Sequence, residues 1–136
     1  MASVFDKLNL KSQREILVLA APPSFEPALR TLAGVAILRD ARKAKSIEFA
    51  IAFVSKRAEV DAAAKAIVPK TEGDVVLWFA YPKGTSKRVG GEINRDTGWE
   101  SLQSAGFETV RLVAIDEDWS ALRFRRTAYV GGKKPR

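Results

Sequence analysis

Short, unbroken apolar runs alternate along this chain with segments that have helical spacing. The runs lie at residues 15–21, 35–38, 47–54 and 75–81. They lack the polar alternation of a half-exposed strand, and they are typical of strands covered on both faces, as in a parallel sheet. Strands that alternate with helices in this way predict right-handed crossovers and helices on both faces of one sheet.

Three helices are predicted from capping signals. Ser24 is the expected N-cap of the first helix, and Gly34 is placed to end it. Ser55 is the expected N-cap of the second helix. The third helix begins where Thr97 and Glu100 match a capping box, in which each side chain bonds to the other residue's backbone amide.

The end of the chain carries a different pattern. Two further strands are predicted at 109–115 and 121–128, and the short acidic segment 116–120 between them predicts an antiparallel hairpin. We therefore expect a three-layer, doubly wound α/β fold that is Rossmann-like. Its sheet is mostly parallel, in the order 2-1-3-4-6-5, and its last strand is antiparallel.

The chain is about one domain long, since domains typically have roughly 100–200 residues. We expect a lead-in at 1–13, a single domain at 14–128 and a flexible basic tail at 129–136. An amphipathic piece of the lead-in, at 4–8, is expected to dock on the domain. Because the sequence contains neither a long apolar run nor a basic region leading into an apolar stretch, we expect a cytoplasmic protein with no membrane association.

The absence of two residue types restricts the chemistry. The sequence has no cysteine and no histidine, which excludes disulfides, thiolate zinc sites, thiol nucleophiles and Ser-His-Asp catalysis. Asp116, Glu117 and Asp118 are consecutive in a tight turn, where side chains diverge rather than converge on one ion. We therefore expect no metal, no cofactor and no catalytic residues, and we interpret the chain as non-catalytic.

Three segments carry a resemblance to known proteins: Leu77-Trp78-Phe79-Ala80-Tyr81-Pro82-Lys83, residues 95–99 and residues 114–123. They resemble a bacterial domain-of-unknown-function family numbered 3052, and the resemblance extends over 16–125. That family has no established activity, so the resemblance implies a fold and no catalytic residues. A last parallel strand followed by a helix and a terminal antiparallel hairpin is also similar to the class I methyltransferase fold, which binds S-adenosylmethionine, and of which the family is a trimmed relative.

The methyltransferase resemblance implies a glycine-rich loop after the first strand and an acidic residue after the second. The loop position, 20–25, has no glycine, and Pro22 and Pro23 remove two amide donors. Asp40 follows the second strand, either as the ribose-binding acid or as a surface aspartate paired with Arg42 or Lys43. We expect the nucleotide pocket to be closed, and a degenerate S-adenosylmethionine-dependent methyltransferase-like protein is the alternative.

A net charge of +7 favours anionic partners. The loop at 83–91 is basic and rich in glycine, and it follows the fourth strand at the sheet edge where open α/β sheets bind ligands. The end of the third strand points to the same edge. The residues predicted to bind an anionic small molecule are Lys83, Thr85, Ser86, Lys87, Arg88, Ser55 and Lys56. The alternatives are a solvated loop and simple helix capping by Ser55.

Two further hypotheses concern partners. The predicted switch point of the sheet lies between the first and third strands, so Pro22, Pro23, Ser55 and Lys56 are expected to line a crevice. On the last strand, arginines interleave with one aromatic residue, at 123–126, which suits a nucleic-acid-binding accessory protein that stacks bases. The same alternation is equally typical of a half-exposed strand.

Overall fold

The computed structural model describes residues 4–84 and 93–130. Six strands form one sheet in the order β2-β1-β3-β4-β6-β5, which confirms the predicted fold. The strands β1 to β4 are parallel, and β6 runs antiparallel to both β4 and β5. The strands are β1 (Glu15–Leu19), β2 (Ala36–Leu38), β3 (Phe49–Phe53), β4 (Val76–Pro82), β5 (Phe107–Ala114) and β6 (Trp119–Arg126).

Helices cover both faces of this sheet. They are α1 (Val4–Lys7), α2 (Glu26–Leu29), α3 (Arg57–Ile67) and α4 (Glu100–Ser104). Apolar residues of α3 and α4, such as Val60 and Leu102, pack with Phe79 on one face. On the other face, Phe5 and Phe25 pack in the same cluster as residues of α2 and of the central strands. Every residue of β3 and β4 is buried, as expected for strands without polar alternation.

The predicted start and end of the first helix are wrong. A 3₁₀ turn at Pro23–Phe25 precedes α2, and Pro22 rather than Ser24 occupies its N-cap position. Proline fixes φ near the helical value and needs no amide donor in the first turn, so Pro23 starts the helical segment and leaves Ser24 inside it. The α-helix already ends at Leu29, and Gly34, with φ of +72°, lies in the loop beyond it.

The two other predicted caps also differ. The N-cap of α3 is Lys56, and the Glu59 carboxylate accepts hydrogen bonds from the amides of Ser55 and Lys56 at 2.7 and 3.0 Å. The N-cap of α4 is Trp99, whose side chain makes no capping bond. Thr97 instead forms a β-bridge with Asn94, so the predicted capping box does not form.

The lead-in docks on the domain through buried contacts. Phe5 and Leu8 are buried, and the Trp78 indole Nε1 donates a hydrogen bond to the Leu8 carbonyl at 2.7 Å. Of the predicted basic tail, residues 131–136 lie outside the described part of the chain, and a 3₁₀ turn at Thr127–Tyr129 precedes them. Within 4–84 and 93–130, no helix has the length and apolar character needed to cross a membrane.

Candidate functional site

An open cleft of about 420 Å³ lies at the carboxyl ends of β1, β2 and β3. This is the switch point of the sheet, because β1 pairs with β2 on one side and with β3 on the other. The chain joins β2 to β3 through a short 3₁₀ turn, Ala41–Lys43, where a longer crossover helix would cover the sheet. The prediction of a closed nucleotide pocket concerns the loop at Pro22 and Pro23, which does not line this cleft.

The lining of the cleft differs from the predicted one. Pro22, Pro23, Ser55 and Lys56 are not among its lining residues. Its walls are instead rich in small side chains from β3, from α3 and from the segments that follow β1 and β2. The alanines that line it are Ala20, Ala41, Ala52, Ala62, Ala63 and Ala66. Small side chains leave space that leucine or phenylalanine would fill in a close-packed interior.

Alanines on α3 are the part of this site that the sequence analysis missed. Ala62 and Ala66 are exposed and face the cleft, whereas Ala64 is buried in the core. The available signal was the run Ala62-Ala63-Ala64-Lys65-Ala66, which is richer in alanine than a core-facing helix requires. Periodicity identifies which residues face the sheet, but it does not reveal that the sheet beside the helix is uncovered.

Ala20, immediately after β1, has an unusual backbone conformation. Its φ is +57°, in the left-handed region that L-residues other than glycine, asparagine and aspartate rarely adopt. This conformation costs roughly 1–2 kcal/mol for a residue with a Cβ. Ala20 also lines the cleft. The loop that the methyltransferase resemblance expects to be glycine-rich thus keeps a glycine-like conformation without the glycine.

Asp40 lines the cleft at the end of β2, and it is paired with Arg42. Its carboxylate accepts hydrogen bonds from the Arg42 backbone amide at 2.9 Å and from the Arg42 guanidinium at 2.8 Å. These bonds lower the pKa of Asp40 to about 2. Both interpretations of this residue are therefore compatible, because a surface aspartate paired with Arg42 also borders the cleft.

Two further charged side chains line the cleft. The Arg39 guanidinium donates two hydrogen bonds to the Glu26 carboxylate, at 2.8 and 2.9 Å. Glu59 is held by the amides of Ser55 and Lys56, and the bond from the Ser55 amide is the main cause of its lowered pKa. Asp40 and Glu59 are consequently ionised at neutral pH, and an ionised carboxylate accepts hydrogen bonds without donating any.

Of the residues predicted to bind an anion, those that the structure describes lie beside this cleft. Phe53 is in register with Ala80, and the Val54 amide bonds to the Ala80 carbonyl at 2.8 Å. Residues 55–56 and Lys83 therefore leave the sheet at neighbouring positions on one edge. Thr85, Ser86, Lys87 and Arg88 lie outside the described residues.

Several of the remaining candidates have structural roles. Phe124 is fully buried, so its ring is not available for base stacking, and Arg125 is paired with Asp74 at 2.6 Å. Asp116 accepts hydrogen bonds from the amides of Asp118 and Trp119, which shapes the hairpin turn. In the described part of the chain, no group of three or more acidic, histidine or cysteine residues is placed to hold a metal ion.

Comparison with known proteins gives a likeness of fold. No protein-family model matches the sequence. No curated protein matches it either. A SAM-dependent methyltransferase from Aquifex aeolicus superposes with a TM-score of 0.54 at 12% identity, over 91% of this chain and 88% of its own. The N-methyltransferase NodS from Bradyrhizobium japonicum WM9 gives 0.53 at 14% identity, over 90% of this chain and 92% of its own.

A longer protein has the same arrangement. LepI in complex with SAM superposes with a TM-score of 0.54 at 14% identity, over 91% of this chain but only 39% of LepI. At these identities the comparisons establish architecture and not chemistry. The chain has the Rossmann-like α/β fold of class I SAM-dependent methyltransferases.

Proposed function

We propose that this chain binds, without catalysing a reaction on it, a small anionic ligand with a nucleoside-like part, of the nucleotide class. One observation carries the proposal. An open, alanine-lined cleft and the cationic residues Lys56 and Lys83 lie at the same carboxyl edge of the sheet. The uncharged part of the ligand would occupy the cleft, and its anionic group would lie toward the two lysines.

The size and lining of the cleft support a ligand with a flat ring. Its volume of about 420 Å³ lies within the roughly 300–1,000 Å³ of small-molecule sites. The alanine side chains offer apolar contact to a ring. Asp40 and Glu59 offer ionised acceptors for hydroxyl or amino groups, which a nucleoside carries and a bare inorganic anion lacks.

The same residues support a non-catalytic role. An efficient general base has a pKa near the working pH, whereas the pKa values of both cleft carboxyls lie below their usual range. Each carboxylate is also already engaged by backbone amides of its own segment. With no histidine or cysteine in the chain, no other side chain of the cleft supplies a proton acceptor near neutral pH.

Calorimetric titration with ADP, adenosine and pyrophosphate tests the proposal. We expect ADP to bind more tightly than either fragment, because only ADP uses both the cleft and the lysines. Ala62→Trp would fill the cleft from an exposed helix position and abolish ADP binding without unfolding the chain. Lys65→Trp, an exposed position on α3 outside this cleft, is the matched control.

The lysines are tested separately from the cleft. Replacing Lys56 and Lys83 by glutamine should weaken ADP binding about tenfold, equivalent to about 1.4 kcal/mol, and leave adenosine binding unchanged. Charge reversal of Lys83, Lys87 and Arg88 together should abolish the anionic contribution with little loss of thermal stability. Absence of heat with ADP, or binding that survives Ala62→Trp, contradicts the proposal.

S-Adenosylmethionine is the second candidate ligand, because the fold is that of SAM-dependent methyltransferases. Asp40 stands after β2, where an acid would accept hydrogen bonds from ribose hydroxyls. The methionine half does not fit equally well. Pro22 and Pro23 supply no amide hydrogen, and Ala20 carries a Cβ where close backbone approach needs glycine. The residues thus suit the nucleoside half of the molecule and not the whole.

The two candidates give different results in the same titration. If S-adenosylhomocysteine binds more tightly than ADP, the second candidate replaces the first. If ADP binds more tightly and S-adenosylhomocysteine binds no better than adenosine, the methionine half adds nothing, as the prolines predict.

A further inference from the structure

Two arginines face each other across β5 and β6, far from the cleft. Arg111 is in register with Arg123, just after an irregularity of the β5–β6 pairing between Thr109 and Arg111, and Trp78 of β4 is in register with Arg123 on its other side. Residues opposite each other in an antiparallel pair lie on the same face with Cβ atoms about 4.5–5.5 Å apart, and like charges in that position destabilise the sheet. This arrangement, the arginine pair, needs a compensating negative charge.

The neighbouring acids supply that charge only in part, because Asp74 acts on Arg123 by its charge alone. Asp74 binds Arg125 through two hydrogen bonds of 2.7 and 2.6 Å. Glu108 is in register with Arg125 and not with either member of the arginine pair. Among residues 4–84 and 93–130, no ion pair or side-chain hydrogen bond engages the guanidinium of Arg111 or of Arg123.

Arg123 is also partly withdrawn from water. Its Nε is buried and has no hydrogen-bond partner in the described structure. An unsatisfied buried donor costs about 1–3 kcal/mol, and more when it is charged. Burial is the main cause of a lowered Arg123 pKa; the nearby charge of Asp74 opposes this shift, and the charges of Arg125 and Arg111 add to it. Arg111, by contrast, is exposed and accessible to a ligand.

We propose that the arginine pair is a second anion site, which binds one phosphate group between Arg111 and Arg123. The guanidinium group presents its N–H donors in a fixed fork that matches phosphate oxygens, and such charge-assisted bonds are the strong ones in proteins. A phosphate bound here offsets the like-charge repulsion and offers a partner to the donors of Arg123. Arg125, two residues along β6, adds to the positive potential, although Asp74 already pairs with it.

The proposal is tested by following the NMR signals of the arginine side chains. In the full chain, the Nε–H signals of the arginines are recorded by NMR while sodium phosphate replaces sodium chloride at constant ionic strength. We expect the signals of Arg123 and Arg111 to move in a saturable manner with half-saturation in the low millimolar range. Arg30, an exposed arginine outside this site, should not move. Signals are assigned with Arg111→Lys and Arg123→Lys.

A second variant protects the test against misfolding. Arg111→Gln changes an exposed residue, so the fold should persist, and we expect it to weaken phosphate binding about tenfold, as befits loss of one charge-assisted contact. Arg30→Gln should leave the affinity unchanged. A shift that does not saturate, or one that all exposed arginines share, overturns the proposal.

Two further experiments distinguish anion binding at the arginine pair from binding in the cleft and from binding of nucleic acid. Ala62→Trp, which fills the cleft, should leave the movement of the Arg123 signal intact, so failure of the nucleotide proposal and failure of this one are distinguishable. A short single-stranded oligonucleotide should displace phosphate only weakly. Displacement at micromolar concentration with a steep salt dependence would instead assign the arginine pair to nucleic acid and overturn the small-anion assignment.

Discussion

Ala20 is a strained residue in the cleft wall. Its left-handed φ of +57° is one that glycine adopts without strain, and the residue lines the cleft. Sequence reasoning identified the absence of glycine in this loop correctly. It concluded from this absence that the pocket is closed, but the backbone still takes the glycine conformation. The residue type predicts which backbone conformation is low in energy. Tertiary packing can still impose a different conformation.

Replacing Ala20 by glycine should stabilise the fold by up to about 1 kcal/mol, because relief of the left-handed strain exceeds the added flexibility of the unfolded chain. Equilibrium urea unfolding measures the change. Gly34→Ala is the matched control, because its φ is +72° and an added Cβ would meet nothing within 4 Å. That variant should lose about 1 kcal/mol from backbone strain alone. Destabilisation by Ala20→Gly would show that the alanine side chain matters more than the strain.

Elements that bury both faces were predictable from the sequence, and the helix ends were not. The runs that contain β1, β3 and β4 are apolar at nearly every position, so few alternatives to a buried strand existed. Ser24, Ser55 and Thr97 were each assigned as caps because serine and threonine favour that position. In the structure Pro22, Lys56 and Trp99 occupy the N-cap positions, because prolines, Glu59 and a local β-bridge fix the chain there.

One buried hydrogen bond joins the N-terminal element to the sheet. Trp78→Phe removes the donor to the Leu8 carbonyl and should destabilise the fold by about 1–3 kcal/mol. Trp99→Phe, which loses an equivalent 2.7 Å bond to the Asn94 carbonyl, is the control. Both variants should lose stability, but only Trp78→Phe should increase amide hydrogen exchange over residues 4–10. Equal exchange in the two variants would contradict a specific role of this bond in docking the lead-in.

The ion pair between Asp74 and Arg125 predicts a pH-dependent contribution of β6. Arg125 lowers the pKa of Asp74 below its ordinary value, so the contribution is complete above about pH 4 and is lost as the pH falls through the folded-state pKa. Asp74→Asn should therefore cost about 0.5–1 kcal/mol at neutral pH, since the pair is about one-third exposed. Chemical unfolding at neutral and strongly acidic pH measures the difference. A difference that persists in strong acid would contradict this role of the ion pair.

At the scale of the whole molecule, the cleft is a consequence of connectivity. The strand order was predictable because alternating strands and helices leave few possible topologies. The size of the cleft depends instead on the small volume that the segment between β2 and β3 occupies. In the sequence, residues 39–45, which join β2 to β3, gave no sign that a 3₁₀ turn would leave the alanines of α3 uncovered. The predicted site residues and the cleft lie at the same edge of the sheet, but the sequence did not indicate the alanines that line the cleft.

The most direct test of the proposed function is the map of backbone amide shifts on titration with ADP. Binding in the cleft predicts that the largest shifts occur at Ala20, Asp40, Val54 and Glu59, which line the cleft, and at Lys56 on its edge. Shifts confined to other surfaces, or none at millimolar ADP, would contradict it.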